Sequence, residues 1–254
     1  MATVQDFYRE IDSFAPFSSA LPFDNPGLLV GDPEKEVKTV LLSLDIPVYV
    51  AREAAQKKVD LVISHHPVIF DPMKAVLPSH SVYHLIQNGV AAICAHTNLD
   101  AADGGVNDVL CRTIGLSDCS YFSPSGEINI GRIGTLSSSM SVRDFALSVK
   151  QKLGADHIDF ADAGRPVRKI AVVSGSGGEA FKEALLFGCD TFLTGESKYH
   201  YYAEAVDRGI NLIAAGHYAT ENPVIFSLKE RLEERFQDVR FLVSETNVQL
   251  PFSV

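Results

Sequence analysis

The 254-residue chain has no apolar run near the roughly 18 residues that a membrane-spanning helix needs, so no span is expected. Its opening stretch, MATVQDFYREIDSF, has neither the basic start nor the apolar stretch of a secretory signal, which predicts a cytoplasmic protein. Basic residues are scarce: 22 Lys and Arg stand against 32 Asp and Glu, a formal net charge of -10. Nucleic acids and anionic membranes would be repelled at long range, so neither is an expected partner, and only a small basic pocket would be exempt. Cysteine is limited to Cys94, Cys111, Cys119 and Cys189, none in a C-x-x-C pair. That removes a zinc knuckle and a thioredoxin-type site, and the four read as reduced, mostly buried thiols. The Gly-rich stretch Gly175-Ser176-Gly177-Gly178 lacks a Walker lysine, which leaves a phosphate cradle or a plain tight turn. A G-x-S-x-G elbow is missing too, which argues against a serine hydrolase.

What is present is an ordinary globular balance, 46% hydrophobic and 21% charged. Short apolar runs alternate with amphipathic stretches. Strands are predicted over 37–44, 60–64 and 90–95, and helices over 49–58, 79–88 and 106–114, with Gly89 and Gly115 as stops. This rhythm implies right-handed crossovers and a mostly parallel sheet. Residues 120–139 alternate and are rich in Ser and Gly, which predicts a hairpin or edge strands. Ser141 then caps a helix to 153, followed by a strand over 157–161. Further strands are expected over 168–174, 190–194 and 210–215, and helices over 178–187, 199–208 and from Pro223 to 236. Residues 240–243 and 247–250 read as closing edge strands.

The expected class is α/β, with two similar lobes of mostly parallel or mixed sheet flanked by helices and related by a pseudo-twofold duplication. Lobe one covers 1–120, a connecting hairpin region 120–162 and lobe two 163–254. The duplication lays LLSLD, DLVIS-HH and VAAICAH over AVVSG, DTFLT-GE and INLIAAGH.

The chemistry-bearing residues fall at strand ends. His65 and His66, in Ser64-His65-His66-Pro67, leave the C-terminal end of a predicted parallel strand, where open α/β sheets place their sites. The plainer alternative is a hydrogen-bonded pair at a sheet end. His96 and Asp100 follow the next strand; Asp100 is a ligand, the orienting partner of a ligating histidine, or a helix cap. His217 and Glu221 repeat the His-x-x-x-carboxylate spacing, although a Glu at a helix start is also stabilised there without any ligand. Three histidines and two carboxylates form a mixed nitrogen and oxygen set suited to Zn, Fe, Mn or Ni. Five ligands are too few to close two sites, and open positions mark a catalytic centre. Glu196, the counterpart of His66 in the duplication, is a candidate orienting group or base, with the solvated start of the next helix as its alternative. His200 and His96 are further acid/base candidates.

Taken in order, Asp24-Asn25-Pro26-Gly27-Leu28, Ser64-His65-His66-Pro67, His96-Thr97-Asn98-Leu99-Asp100, Gly104-Gly105-Val106-Asn107-Asp108, Ser176-Gly177-Gly178, Leu193-Thr194-Gly195-Glu196 and Gly216-His217-Tyr218-Ala219-Thr220-Glu221 resemble the NIF-three-like proteins, also named GTP cyclohydrolase type 2 homologues. The resemblance runs almost end to end, in the compact form without a domain inserted mid-chain. It implies two divalent metal ions per chain, held by His65, His66, Asp100, His217 and Glu221, with Glu221 bridging. It also implies a toroidal homohexamer. Two function classes follow: a metal-dependent hydrolase acting on a small substrate, such as a nucleotide or phosphorylated compound, or a non-enzymatic metal-handling or regulatory scaffold that binds other proteins.

Overall fold

The computed structural model describes residues 1–124 and 128–251. Residues 125–127, at the tip of the expected hairpin, lie outside the described residues, as do 252–254. The chain forms two compact units, one of residues 1–103 and 225–248, the other of 104–224 and the residues from 249 on. The division therefore falls before residue 120, and the C-terminal helix and strand return to the first unit.

In the first unit, α1 (Val4–Phe14) starts on a capping box in which Asp6 accepts from the Thr3 backbone N–H at 2.9 Å. Its buried residues Val4, Phe7 and Ile11 recur at helical spacing. β1 (Gly27–Val30), β2 (Thr39–Ser43), α2 (Val48–Gln56), β3 (Leu61–Ser64), α3 (Ser81–Gln87), β4 (Ala91–Cys94) and the one-turn α4 (Thr97–Ala101) follow. After the second unit come α10 (Pro223–Arg235) and β11 (Arg240–Val243). The sheet order is β1-β4-β3-β2-β11, parallel except for β1, which is antiparallel to β4. Every residue of β3 and β4 is buried, as expected of strands covered on both faces. Phe7 stacks on Phe236 beyond α10, with ring centroids 4.1 Å apart.

The edge strand expected over 247–250 does not form. The Glu53 carboxylate on α2, almost fully buried, takes the donors of the segment after β11 instead. It accepts from Ser244 Oγ at 2.6 Å, from Glu245 N at 3.0 Å and from Thr246 N and Oγ1 at 3.2 and 2.6 Å. Those N–H groups belong to Glu245 and Thr246, just ahead of 247–250, and the Asn247 N–H that follows goes to Ser244 Oγ at 3.1 Å rather than to a ladder.

The second unit contains α5 (Val106–Ile114), β5 (Ser117–Phe122), β6 (Gly131–Met140), α6 (Val142–Leu153), β7 (Asp159–Ala161), β8 (Val167–Val173), α7 (Phe181–Leu186), β9 (Thr191–Thr194), α8 (Tyr199–Asp207), β10 (Asn211–Ala214) and the one-turn α9 (His217–Glu221). Its six strands run β5-β6-β8-β9-β10-β7, with β8, β9 and β10 parallel and the others antiparallel. The expected hairpin is the β5–β6 pair. Ser141 caps α6 as expected, accepting from Asp144 N at 3.1 Å. No helix among the described residues is long and apolar enough to cross a membrane.

Candidate metal centre

Three neighbouring parallel strands of the first unit end together, and each delivers a polar side chain just past its C-terminus. Asp45 follows β2, His65 and His66 follow β3, and His96 follows β4. The three imidazoles cluster, with ring centroids 4.9 Å (His65–His66), 5.2 Å (His65–His96) and 5.5 Å (His66–His96) apart. One ligand nitrogen from each lies within 4.8 Å of the other two.

Each ring is held by an oxygen at Nδ1. His65 Nδ1 lies 2.9 Å from the Ala95 carbonyl, His66 Nδ1 2.7 Å from Asp45 Oδ1, and His96 Nδ1 2.8 Å from Asp24 Oδ1. A carbonyl and an ionised carboxylate only accept, so each Nδ1 carries the proton, and a neutral ring then presents the lone pair of Nε2. This is the arrangement by which proteins orient metal-binding histidines. Asp100, on α4, brings Oδ1 to 3.7 Å from His65 Nε2. A lone pair and a carboxylate oxygen facing each other call for a positive charge there, from a proton or a metal ion. Cys94 is no rival ligand: its thiol donates to the His65 carbonyl at 2.9 Å, and burial pushes its pKa up.

Asp24 is the residue whose role composition and spacing did not reveal. Its side chain is fully shielded, and its carboxylate also accepts from Thr97 N at 3.0 Å and Thr97 Oγ1 at 2.5 Å. Burial alone would raise its pKa; the hydrogen bonds from His96 and Thr97 outweigh it and hold the carboxyl at about 2. Asp24 thus fixes His96 and anchors the first turn of α4 at once. His96, expected as an acid/base candidate, stands among the ligand candidates.

In the second unit, Glu196 follows β9 and His217 opens α9 after β10. His217 Nε2 lies 2.9 Å from Glu221 Oε2, and Nδ1 lies 3.4 Å from Glu196 Oε1. Glu196 Oε2 accepts from Ser176 Oγ at 2.8 Å. Glu196 thus lies beside His217, with its side chain 58% exposed. It borders a recess of about 210 Å³ lined with His217, His157, Tyr202 and Tyr218. His200 is not part of this group; it is exposed on α8 and its ring packs against Tyr201 at 4.2 Å.

Two glycines let the loops close on this pair. Gly175 has φ +59°, and a Cβ there would collide with Glu221 Oε1 and lie 3.3 Å from His217 Nε2. A Cβ on Gly195 would come within 2.9 Å of the His217 Cα and within 2.6 Å of the Gly175 carbonyl. The close packing at Gly175, Gly177 and Gly178 fits the tight-turn reading of the Gly-rich loop. Two of its N–H groups are used within the protein, Gly175 N on Thr220 Oγ1 at 3.2 Å and Gly177 N on Thr194 Oγ1 at 3.1 Å, and the preceding Ser174 N goes to Asn107 Oδ1 at 2.9 Å.

The strand ends also refine the internal repeat. Ala95 N donates to Ser64 O and Ala215 N to Thr194 O, each at 2.9 Å, so Ala95 matches Ala215 and His96 matches Gly216. His66 then matches Glu196 as expected, but Asp100 matches Thr220. The two His-x-x-x-carboxylate sets are offset by one residue, which on a helix is a rotation of about 100°.

Known proteins agree with this architecture along the whole length. The Clostridium perfringens (strain 13 / Type A) protein named GTP cyclohydrolase 1 type 2 homolog is 34% identical over 251 residues, covering 95% of this chain and 96% of its own. The crystal structure of the Staphylococcus aureus hypothetical protein SA1388 matches with a TM-score of 0.92 at 28% identity, over 99% of each chain. Reduced HcgD from Methanocaldococcus jannaschii matches with a TM-score of 0.82 at 26% identity, over 96% of this chain and 98% of its own. With the family model matching residues 2–249, the chain belongs to the Duf34/NIF3 (NGG1p interacting factor 3) family.

Proposed function

We propose that this chain binds two divalent metal ions, using His65, His66, His96 and Asp100 in the first unit and His217 and Glu221 in the second, and that it works as a metal-dependent hydrolase of a small substrate. The observation that carries the reading is the triple anchoring of Nδ1 in His65, His66 and His96, which turns three Nε2 lone pairs toward one another. Three neutral imidazoles gathered this way, with a carboxylate beside them, fit Zn, Fe, Mn or Ni. When bound, such ions supply Lewis acidity toward a substrate oxygen and acidify water.

The chain's own residues supply the rest. Asp24 and Asp45 keep His96 and His66 in the tautomer that ligates. Glu196 sets one oxygen 3.4 Å from His217 Nδ1 and, being exposed at the recess, can accept a proton there. The recess is smaller than most ligand pockets, which favours a small molecule or one end of a larger one. The same proposal includes the toroidal homohexamer.

Elemental analysis of gently purified protein, followed by turnover assays of stripped and metal-loaded samples over phosphoesters, nucleotides and cyclic amides, tests the reading. GTP belongs in the panel because the curated relatives carry its name. Metal uptake near two ions per chain and a turnover lost in Glu196→Gln, with the metal content kept, are expected. A chain that takes up none of Zn, Fe, Mn or Ni refutes the metal assignment; metal uptake with no turnover over the whole panel refutes the hydrolase and favours the metal-handling scaffold. Light scattering decides the oligomer.

A further inference from the structure

We propose that Phe23 and Phe70, in the first unit, select the substrate of the candidate centre: a small molecule with an aromatic ring next to the group that reacts. The proposal rests on the reading of that centre as one that binds a small substrate through metal ions. Both rings stand in water, Phe23 63% and Phe70 46% exposed, with centroids 6.4 Å apart and planes tilted by 45°. A single exposed phenylalanine is ordinary. Two that face each other beside three anchored imidazoles form a prepared surface, and Phe70 meets the His96 ring edge-to-face, with centroids 6.4 Å apart.

The rings are placed by hydrogen bonds of their loops rather than by their own burial. Pro22 and Phe23 are the central residues of a turn closed by Asp24 N on the Leu21 carbonyl at 2.9 Å, with proline at the position whose φ it presets. The turn is tied to the start of α4 by Leu21 N on Thr97 Oγ1 at 2.9 Å and by Asp24 Oδ1 on His96 Nδ1 at 2.8 Å. One residue on, Asn25 Nδ2 donates to the Ile69 carbonyl at 2.7 Å, which joins the turn to the segment that carries Phe70. Val68 and Ile69 pack against the core of the first unit, so the chain is anchored just before Phe70 turns outward. Asp24 and Asn25 therefore fix the His96 imidazole and hold the two phenyl rings together. Aromatic rings favour offset or edge-to-face contact at centroid distances of about 4.5–7 Å, and a third ring seated on this pair would meet Phe23 and Phe70 in that way. A group attached to that ring lies next to His96, so ring and reacting group are close neighbours in the substrate.

The test uses acetohydroxamate, hexanohydroxamate and benzohydroxamate, which offer a metal ion the same pair of oxygens and differ in the methyl, alkyl or phenyl group beside it. Calorimetry gives Kd for zinc-loaded wild type, Phe23→Ala, Phe70→Ala and Phe70→Tyr, and elemental analysis gives the zinc content of each. In wild type the phenyl compound should bind about 10-fold more tightly than the methyl one, and more tightly than the alkyl one. That ratio should fall to about 2 in Phe70→Ala, fall in Phe23→Ala and be kept in Phe70→Tyr, with zinc content unchanged throughout. A ratio equal in wild type and both alanine variants, or an alkyl chain bound as tightly as the phenyl ring, would overturn the proposal and leave the metal assignment standing. A smaller particle by light scattering in the alanine variants, with the ratio unmoved, would overturn it in favour of an interface between copies of the chain. Saturation transfer to the phenyl protons of benzohydroxamate in metal-free protein reads the ring pair without any ion, so a chain that takes up no zinc refutes the metal assignment separately. That transfer is expected in wild type and lost in Phe70→Ala; its absence in wild type would overturn the proposal.

Discussion

Replacing Glu53 by Gln isolates the energetic weight of one buried carboxylate. Glu53 is 4% exposed and accepts from Lys57 Nζ at 2.7 Å in addition to Ser244, Glu245 and Thr246. Burial would raise its pKa, but the hydrogen bonds from Lys57, Ser244, Thr246 and Glu245 bring it from an ordinary 4.5 down to about 2. At about 1.4 kcal/mol per factor of ten, that drop contributes about 3 kcal/mol. The pKa is depressed in the folded state, so the contribution is fully present above pH 4.5 and is lost as pH falls from there toward 2. At pH 3 only about 1.5 kcal/mol of it should remain. Gln keeps the shape but not the charge, and its NH₂ group faces donors. Urea unfolding of wild type and Glu53→Gln at pH 7 should therefore differ by about 3 kcal/mol, and at pH 3 by about half as much. The change should be felt first at β11 and the 244–247 segment, readable by hydrogen exchange at Glu245 and Thr246. An equal difference at the two pH values, or one below about 1 kcal/mol at pH 7, would show that the charge of Glu53 does not hold this segment.

The other expectations concern the centre. His65→Ala and His217→Ala should each lower metal content while far-UV circular dichroism stays native, since both residues lie past strand ends; loss of the folded spectrum in both would mark them as core histidines. Asp24→Asn and Asp45→Asn should weaken metal binding by about 10- to 100-fold without removing any proposed ligand, measured by competition with a chelator, and unchanged affinity in both would refute their orienting role. Gly175→Ala should displace the Glu221 carboxylate and deplete the metal although no charged group is touched; a metal content equal to wild type would show that the collision at Gly175 is absorbed elsewhere.

Much of the scaffold was legible because its signals are local. Val106–Ile114 ends on Gly115, in the left-handed region at φ +85°, and Val142–Leu153 starts on Ser141 and ends on Gly154 at φ +63°; both helices match expectation to the residue. The buried strands were legible as unbroken apolar runs. The helical turns α4 and α9 were not, because five residues carry too little periodicity to register. α1 went unread even though its capping box is local. The return of α10 and β11 to the first unit could not be read either, since β11 pairs with β2 some 200 residues earlier and nothing local encodes that pairing.

The centre divides along the same line. His65, His66, Asp100, His217 and Glu221 announce themselves as metal-type side chains next to strand ends. Asp24 and Asp45 do not, because one lies in a loop 72 residues before its histidine and the other 21 residues before, and an aspartate in a loop has many ordinary reasons to be there. Only the parallel order of β2, β3 and β4 brings Asp45 beside His66, and only the antiparallel edge strand β1 brings the preceding Asp24 to His96, as Gly27 pairs with Cys94. The ligand candidates sit on local motifs, whereas the groups that choose their tautomers come from neighbouring strands. It follows that a change in sheet register, more than a change in any single loop, would disorganise the centre. The one-residue offset within the repeat has the same root. The strands of each unit follow the same pattern, and the candidate ligand positions on α4 and α9 differ by a single helical step, so the shared framework does not require the two candidate sets to be equivalent.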